Sequence, residues 1–523
     1  MARMIFFVAA FAGVALAILC TLLWPYGYGL WVVVVPLVGL GVADVTQTRH
    51  AIRRNYPLIG RLRYFFESIR PEMHQYFIES DTNGTPFSRE ERSLVYQRAK
   101  GQNDTVPFGT RHNVYAEGYI WIDHSLVPIH VEGAPRIRVG GPACTQPYDA
   151  SVLNISAMSF GSLSSTAVRA LNGAAKDGNF AHNTGEGGIS PYHLEGGDLC
   201  WQIGTGYFGC RTHGGDFDPE LFKKNAAKPS VKMIEIKLSQ GAKPGHGGIL
   251  PASKVTPEIA EIRHVPLGQD VLSPPAHTAF STPKGLLEFV AKLRELSDGK
   301  PVGFKLCLGQ PSQFLAIIKA MVETGITPDF ITVDGGEGGT GAAPLEFTNA
   351  VGRPLLDGLA FVHGALRGTG LRDKVTVIAS GRVLNGFDIA IRLALGADLC
   401  NSARGMMFAL GCIQALRCNN NSCPTGIATQ DPGLFKGLVV LDKRVRVANY
   451  QKSTVRHFFD IIGAAGCDHP SKLDASMIFQ RMGDNRVVSF AELYGTVELG
   501  ALLSDELPAH YAEAWQRARA ESF

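Results

Sequence analysis

From Val375 to Met407 the chain reads VTVIASGRVLNGFDIAIRLALGADLCNSARGMM. Two short apolar runs, VTVIASG and DLCNSAR, each lead into a turn of small residues that carries an arginine, Arg382 and Arg404. Runs of this length bounded by glycine read as buried strands, and the segment between them reads as a helix. Outward from this stretch the same pattern recurs in SVLNISAMS, FAHNTGE, GYFGCRT, MIEIKLS, VGFKLCL and FITVDGG, which makes eight β-type runs in all. Most are followed by helix-like segments such as LLEFVAKLREL or FLAIIKAMVET. Eight such units predict an α/β fold, a (β/α)8 TIM barrel, over residues 151–432. A doubly wound sheet is the alternative, but its glycine fingerprint follows the first strand, and AMSFGS is not that fingerprint.

In a TIM barrel the chemistry sits on the loops at the C-terminal ends of the strands. Those ends collect Met158 and Ser159, Asn183 and Glu186, Gln240 and Lys243, Lys305, Asp334, Ser380 with Arg382, and Ser402 with Arg404. The loops after the last two strands commonly build a phosphate site from backbone N–H groups and a helix start. ASGRVLNG and NSARGMM each offer a small-residue turn plus an arginine for a phosphorylated cofactor. Alternatively, Gly381 and Gly405 only permit tight turns, and the arginines pair with surface carboxylates. Lys305 lies in an apolar strand, where its charge needs a task. It could stabilise negative charge on a reduced flavin, or pair with an acid such as Asp334. Flavin mononucleotide accounts for the lysine and both loops together.

At 523 residues and 45% apolar content, the chain has enough material for one large core or two, and something beyond. A formal charge of +3, without a basic run interleaved with aromatics, excludes nucleic acid as a partner. The remainder is N-terminal. MIFFVAAFAGVALAILCTLLW, Met4 to Trp24, is free of charge over twenty-one residues, and a second apolar run spans Leu30 to Ala43. The first is long enough to cross a hydrocarbon core of roughly 30 Å at about 1.5 Å per residue. Trp24, Tyr26, Tyr28 and Trp31 flank the turn as interface aromatics do. Residues 1–48 are thus expected to form a transmembrane helical hairpin. A cleaved signal peptide is the alternative, since Ala15 to Ala17 holds an A-x-A pattern. Arg3 before the first span, and Arg49, Arg53, Arg54, Arg61 and Arg63 after the second, place both ends on the cytoplasmic side of the inner membrane. Residues 49–150 then connect to the barrel, and residues 433–523 form a helical extension packing on it.

GCIQALRCNNNSCPTGIATQDP, Gly411 to Pro432, sets Cys412, Cys418 and Cys423 within twelve residues. A cytoplasmic location disfavours disulfides. Structural zinc prefers close pairs and a fourth ligand, which the segment lacks. Iron–sulfur clusters use short irregular spacings, one of which ends in Cys-Pro, so a cluster with three protein ligands fits better. Three buried free thiols remain the plain alternative.

The sequence resembles the FMN-binding synthase part of glutamate synthase, from about Pro107 to about Pro432. The resemblance is carried by AMSFGSLS, NTGEGGISPYH, IKLSQGAKPGHGG, LPASKVTPEIAEIRH, LSPPAHT, VDGGEGGTGAAP and the cysteine segment, in the family's order and spacing. It implies FMN and a 3Fe-4S cluster on Cys412, Cys418 and Cys423. Met158 and Ser159 would lie against the flavin and Gln240 and Lys305 near its ring, with Asp334 and Gly335 also binding the cofactor. Ser380, Gly381 and Arg382 would lie near its phosphate with Ser402, Arg404 and Gly405. Glu186, Lys243 and Arg263 match positions that surround 2-oxoglutarate in the family. Two cations suit a dicarboxylate, and Glu186 could hold or protonate the nitrogen of an imine.

The departures from the family shape the expected function. A membrane hairpin stands where the family has a glutaminase domain with a cysteine nucleophile, and Cys20 lies inside that hairpin. No dinucleotide fingerprint is present, and His246 in KPGHGG replaces an acidic residue. The expected activity is reductive amination of 2-oxoglutarate to L-glutamate, with ammonia or an amine from outside the chain. Electrons would come from ferredoxin, a reductase subunit or quinone. The alternatives are a membrane-linked FMN dehydrogenase of an amino or hydroxy acid, an N-methylglutamate-synthase-like enzyme, or a non-catalytic electron relay. A relay needs no dicarboxylate clamp.

Overall fold

A computed structural model describes residues 1–483 and 486–523, which divide into two compact units, Met1–Glu90 and Glu91–Phe523. In the first unit, helices α1 (Ala2–Leu23) and α2 (Trp31–Thr46) are joined by a 3-10 turn at Gly27–Leu30. By length and composition Ala2–Leu23 and Gly27–Thr46, the latter taking in the 3-10 turn, are able to cross a membrane. Where they pack, Gly41 lies so close to the Phe6 ring that a Cβ would overlap it. Helix α3 (Gly60–Met73) follows, with Pro71 in its last turn.

The second unit is a closed barrel of eight parallel strands. They are β1 (Leu153–Ile155), β2 (His182–Asn183), β3 (Leu199–Ile203), β4 (Val231–Lys237), β5 (Val302–Cys307), β6 (Phe330–Asp334), β7 (Thr376–Ser380) and β8 (Leu399–Ser402). Each pairs with the next in sequence, and Asn401 of β8 pairs with Asn154 of β1 to close the ring. Around it stand α4 (Ser165–Gly178), α5 (Pro219–Ala226), α6 (Pro257–Arg263), α7 (Pro283–Leu296), α8 (Pro311–Thr324), α9 (Leu355–Gly368), α10 (Gly386–Ala394) and α11 (Arg404–Leu410). Their starts are written in the sequence: Ser164, Thr282 and Asn385 cap α4, α7 and α10 with side-chain oxygens that accept backbone N–H bonds.

Seven of the eight expected runs hold barrel strands; GYFGCRT does not. The third strand is LCWQI, fully buried along its length. Residues 206–212 instead form a loop in which Tyr207 (φ 48) and Gly209 (φ 85) adopt left-handed conformations. Tyr207, Phe208 and Cys210 are buried nonetheless. A buried loop gives the same apolar signal as a strand, which is why the run misled.

A hairpin of Ile137–Val139 and Tyr148–Ala150 closes the N-terminal end of the barrel. Val139, Tyr148 and Ala150 pack there on Cys200, Met233, Phe330, Ile378 and Leu399. Helix α12 (Val440–Ala464) covers α4, α10 and α11, burying Tyr450, Phe458 and Ile462. Gly173 of α4 admits this contact, because a Cβ there would stand 2.7 Å from Arg444 Cδ.

Candidate active site at the barrel mouth

The site begins inside the barrel. Glu235 and Lys237 alternate on the inward face of β4. Glu235 is 1% exposed. Its carboxylate accepts hydrogen bonds from Asn183 (2.8 Å), Gln202 (2.6 Å) and Thr332 (2.6 Å). Above it, Lys305 Nζ lies 2.9 Å from Asp334 Oδ2, which also accepts the Gly241 backbone N–H at 3.0 Å. Burial works against the Lys305 charge, but Asp334 and then Glu235 overcome it and hold its pKa above the ordinary value. Lys305 is therefore a fixed cation.

At the rim, Lys237 Nζ donates to Glu186 Oε1 at 2.9 Å. Burial opposes the Glu186 charge, yet Lys237, Arg263 and Lys243 together lower its pKa, so it is a carboxylate at neutral pH. Gly204 and Gly248 leave room for this carboxylate, since a Cβ at Gly204 would stand 2.5 Å from Oε2 and one at Gly248 closer still to Oε1, displacing Glu186. Lys243, 2% exposed, donates to the Ala342 carbonyl at 2.7 Å. Burial and the Lys237 charge lower its pKa. Arg263 closes α6 and donates to the Phe160 carbonyl at 2.9 Å and to Ser159 Oγ at 3.5 Å. Its guanidinium sits over the Phe208 ring at 5.1 Å, and its buried Nε has no partner among the described residues. Burial brings the Arg263 pKa down to about 10. Glu186, Lys237, Gln240 and His246 line one cavity with Thr205 and Ser239.

His277 sets the height of Lys237. Its Nε2 lies 2.9 Å from the Lys237 carbonyl, which only accepts, so Nε2 carries the proton and Nδ1 accepts from the Tyr207 hydroxyl at 3.0 Å. Burial drives the His277 pKa down to about 4, consistent with a neutral ring.

The loops after β7 and β8 bring their arginines together. Gly335 donates its backbone N–H to the Ser380 carbonyl at 3.1 Å, and the Ser380 and Ser156 hydroxyls are 3.1 Å apart. Arg404 donates to the Glu337 carbonyl at 2.7 Å; burial, then the nearby Arg382 charge, lower its pKa to about 10. Arg382, left-handed at φ 51, ion-pairs with Glu91 at 3.1 Å, so for this residue the carboxylate-pairing alternative is realised. Ser402 Oγ donates to the Val383 carbonyl at 2.6 Å, and a Cβ on Gly405 would collide with the Tyr450 hydroxyl and stand 2.6 Å from Ser402 Oγ.

In the cysteine segment all three thiols are free. Burial raises the Cys412 pKa to about 12, and burial and the neighbouring Cys423 charge raise that of Cys418. Burial opposes the Cys423 thiolate as well, but hydrogen bonds from Thr425 and from backbone N–H groups lower its pKa on balance. Lys254 secures the segment, donating to the carbonyls of Cys418 (2.7 Å) and Ala428 (2.9 Å). Among the described residues no three His, Cys, Asp or Glu side chains converge as a single metal ion requires.

The structure thus gathers Glu186, Gln240, Lys243, Arg263, Lys305 and Asp334 at one end of the barrel, with Met158 and Ser159 in the loop after β1 and Ser159 Oγ 3.5 Å from Arg263. Sequence reasoning passed over Lys237, Glu235, His277 and Lys254. Two charges at alternate positions of the apolar strand MIEIKLS were the available signal for the first two.

Residues 145–468 match the conserved region in glutamate synthase. The chain is 38% identical over 508 residues to the glutamate synthase large subunit-like protein YerD of Bacillus subtilis, covering 88% of this chain and 96% of that one. It is 37% identical over 335 residues to the archaeal glutamate synthase (NADPH) of Methanocaldococcus jannaschii, covering 64% of this chain and 60% of that one. Against the glutamate synthase (NADPH) large chain of Bacillus subtilis the identity is 35%, over 54% of this chain and 18% of the relative. The chain therefore spans less than two thirds of the length of the last two. It belongs to the glutamate synthase family and is a glutamate synthase-like oxidoreductase.

Proposed function

We propose that this chain reductively aminates 2-oxoglutarate to L-glutamate, holding FMN at the barrel mouth and a 3Fe-4S cluster on Cys412, Cys418 and Cys423, with nitrogen supplied from outside the chain. One observation carries the reading: a single carboxylate, Glu186, stands among three cations, Lys237, Lys243 and Arg263. Glu186 is paired with Lys237, and Lys243 and Arg263 are placed to meet the two carboxylates of a dicarboxylate. The unpartnered Arg263 Nε adds a buried donor with bonding capacity to spare.

The residues suit both groups. Burial and then the Arg382 charge disfavour the Arg404 cation, which a phosphate beside the close-packed Ser402 and Gly405 would offset. Lys305 stays cationic where charge on a flavin ring would need it. Three thiols with a stabilised Cys423 thiolate and the Lys254 ammonium beside them suit a thiolate-held cluster. When bound, reduced FMN supplies a hydride to the C2 carbon of the substrate.

The protein's own groups do the rest. Lys243 and Arg263 bind the two carboxylates. Ammonia released from ammonium adds to the C2 carbonyl, and the oxygen leaves as water with the proton that ammonium gave up, so Lys243 keeps its charge on the carboxylate. Glu186, held ionised, accepts a hydrogen bond from the resulting iminium N–H. It holds that nitrogen rather than protonating it.

In this reading α1 and α2 anchor the chain in the inner membrane, with Arg3 and the arginines after α2 on the cytoplasmic side. Ferredoxin, a reductase subunit or quinone supplies the electrons. Lys243→Ala tests the function: it abolishes glutamate formation and leaves the visible flavin spectrum intact. Unchanged turnover in that variant contradicts the clamp and favours an electron relay.

A further inference from the structure

The ends of the N-terminal hairpin are tied to the segment that follows it. At the start of α1, Arg3 donates through Nε to the Arg54 carbonyl (2.6 Å) and through Nη2 to Asn55 Oδ1 (2.8 Å). At the end of α2, the buried Asp44 carboxylate accepts from the Arg61 guanidinium (2.8 Å) and from the Leu58 backbone N–H (3.1 Å). These bonds hold residues 54–61 level with both helix ends. If α1 and α2 span a bilayer, that level is its surface.

From this level α3 departs with two contrasting faces. Leu62, Phe65, Phe66, Ile69 and Met73 recur at intervals of three and four and share one face, while Arg63, Glu67 and Arg70 take the other. The apolar face is uncovered: Leu62 is 54% exposed, Phe65 54% and Phe66 60%. Beyond α3, Tyr76, Phe77 and Ile78 continue it, with Phe77 77% exposed. Residues 49–78 carry six arginines and two acids, Glu67 and Glu72. Arg53 is held over the Tyr64 ring at 4.7 Å.

An apolar stripe flanked by arginines, pinned at the level where two apolar helices end, matches the layering of a bilayer interface: acyl chains below, phosphates above. We propose that residues 49–78 form a membrane-surface collar. In it α3 lies in the interface, Phe65 and Phe66 enter the acyl boundary, and Arg53, Arg54, Arg63 and Arg70 engage anionic phospholipid headgroups. The proposal rests on reading α1 and α2 as membrane spans.

The test uses the full chain in nanodiscs of phosphatidylcholine alone or mixed with phosphatidylglycerol, followed by amide hydrogen exchange, together with p-benzoylphenylalanine in place of Phe66. The expected result is protection of residues 60–78 that increases severalfold with phosphatidylglycerol, and photoadducts of position 66 with lipid. Phe65→Glu with Phe66→Glu removes that protection and leaves residues 2–46 protected; Arg63→Gln with Arg70→Gln removes only the dependence on phosphatidylglycerol. If residues 2–46 exchange freely, the membrane reading itself fails. If they are protected while residues 60–78 are not, or position 66 couples to protein, the collar is overturned and the face belongs to another part of the chain or a second copy. Protection without dependence on phosphatidylglycerol overturns the headgroup contacts.

Discussion

Lys237 Nζ and Glu186 Oε1 stand 2.9 Å apart, joining the last residue of β4 to the loop after β2 across the barrel mouth. With Arg263 and Lys243 also favouring the Glu186 charge, this contact fixes the protonation state of the one acid in the proposed substrate pocket. Removing Lys237 leaves that carboxylate short of its closest partner. The double variant Lys237→Met with Glu186→Gln is therefore less destabilised than the sum of the two single variants, by a coupling energy of about 1–3 kcal/mol. Chemical unfolding of the two single variants and the double variant measures it. Each single variant lowers turnover by about 10²-fold or more.

Protonation gives the pocket an asymmetric pH response. Lys243 has a pKa lowered from 10.5, so it loses its charge before an ordinary lysine does as pH rises. Affinity for 2-oxoglutarate accordingly falls on the alkaline side below pH 10.5. Calorimetric titration across pH measures this fall, and Lys243→Ala removes the Lys243 share of it, leaving that of Arg263. On the acid side Glu186 has a folded pKa below 4.5, so its contribution to stability is complete above 4.5 and is lost as pH drops through the folded value. Glu186→Gln flattens that acid limb in unfolding experiments.

Lys254 gives the cysteine segment its anchor through the carbonyls of Cys418 and Ala428. Lys254→Met leaves both buried acceptors without their donor and costs about 2–4 kcal/mol. It also lowers iron retention after gel filtration. Cys418→Ser loses the iron outright, while flavin content stays at the unmodified level; iron and flavin analysis separates the two effects.

The third strand carries a large part of the core on one residue. Trp201 is fully buried and stacks on Phe222 with ring centroids 5.2 Å apart. Trp201→Ala destabilises the barrel by about 3–5 kcal/mol, read as a shift in the unfolding midpoint.

The barrel was legible because most of its strands are short apolar runs ending in glycine or polar turns, and because Arg382 and Arg404 recur at equivalent places. LCWQI was hidden between two glycine-rich stretches, next to a loop that is itself buried. Glu186, Lys243 and Arg263 were found through long motifs shared with a family, whereas Lys237 and Glu235 were masked by the apolar strand that holds them. The pairing of Arg382 with Glu91 spans 291 positions, and local pattern has no access to such a contact. His277 acts through the Lys237 carbonyl, so its role exists only once the two chains of residues are folded together.

The most direct test of the central claim is anaerobic reoxidation of photoreduced, detergent-solubilised full chain mixed with 2-oxoglutarate, with and without ammonium. The account predicts that reoxidation requires both compounds and that L-glutamate accumulates in step with it. A protein that stays reduced with that pair, yet is reoxidised at once by a quinone analogue, contradicts reductive amination and makes the barrel a membrane-linked dehydrogenase.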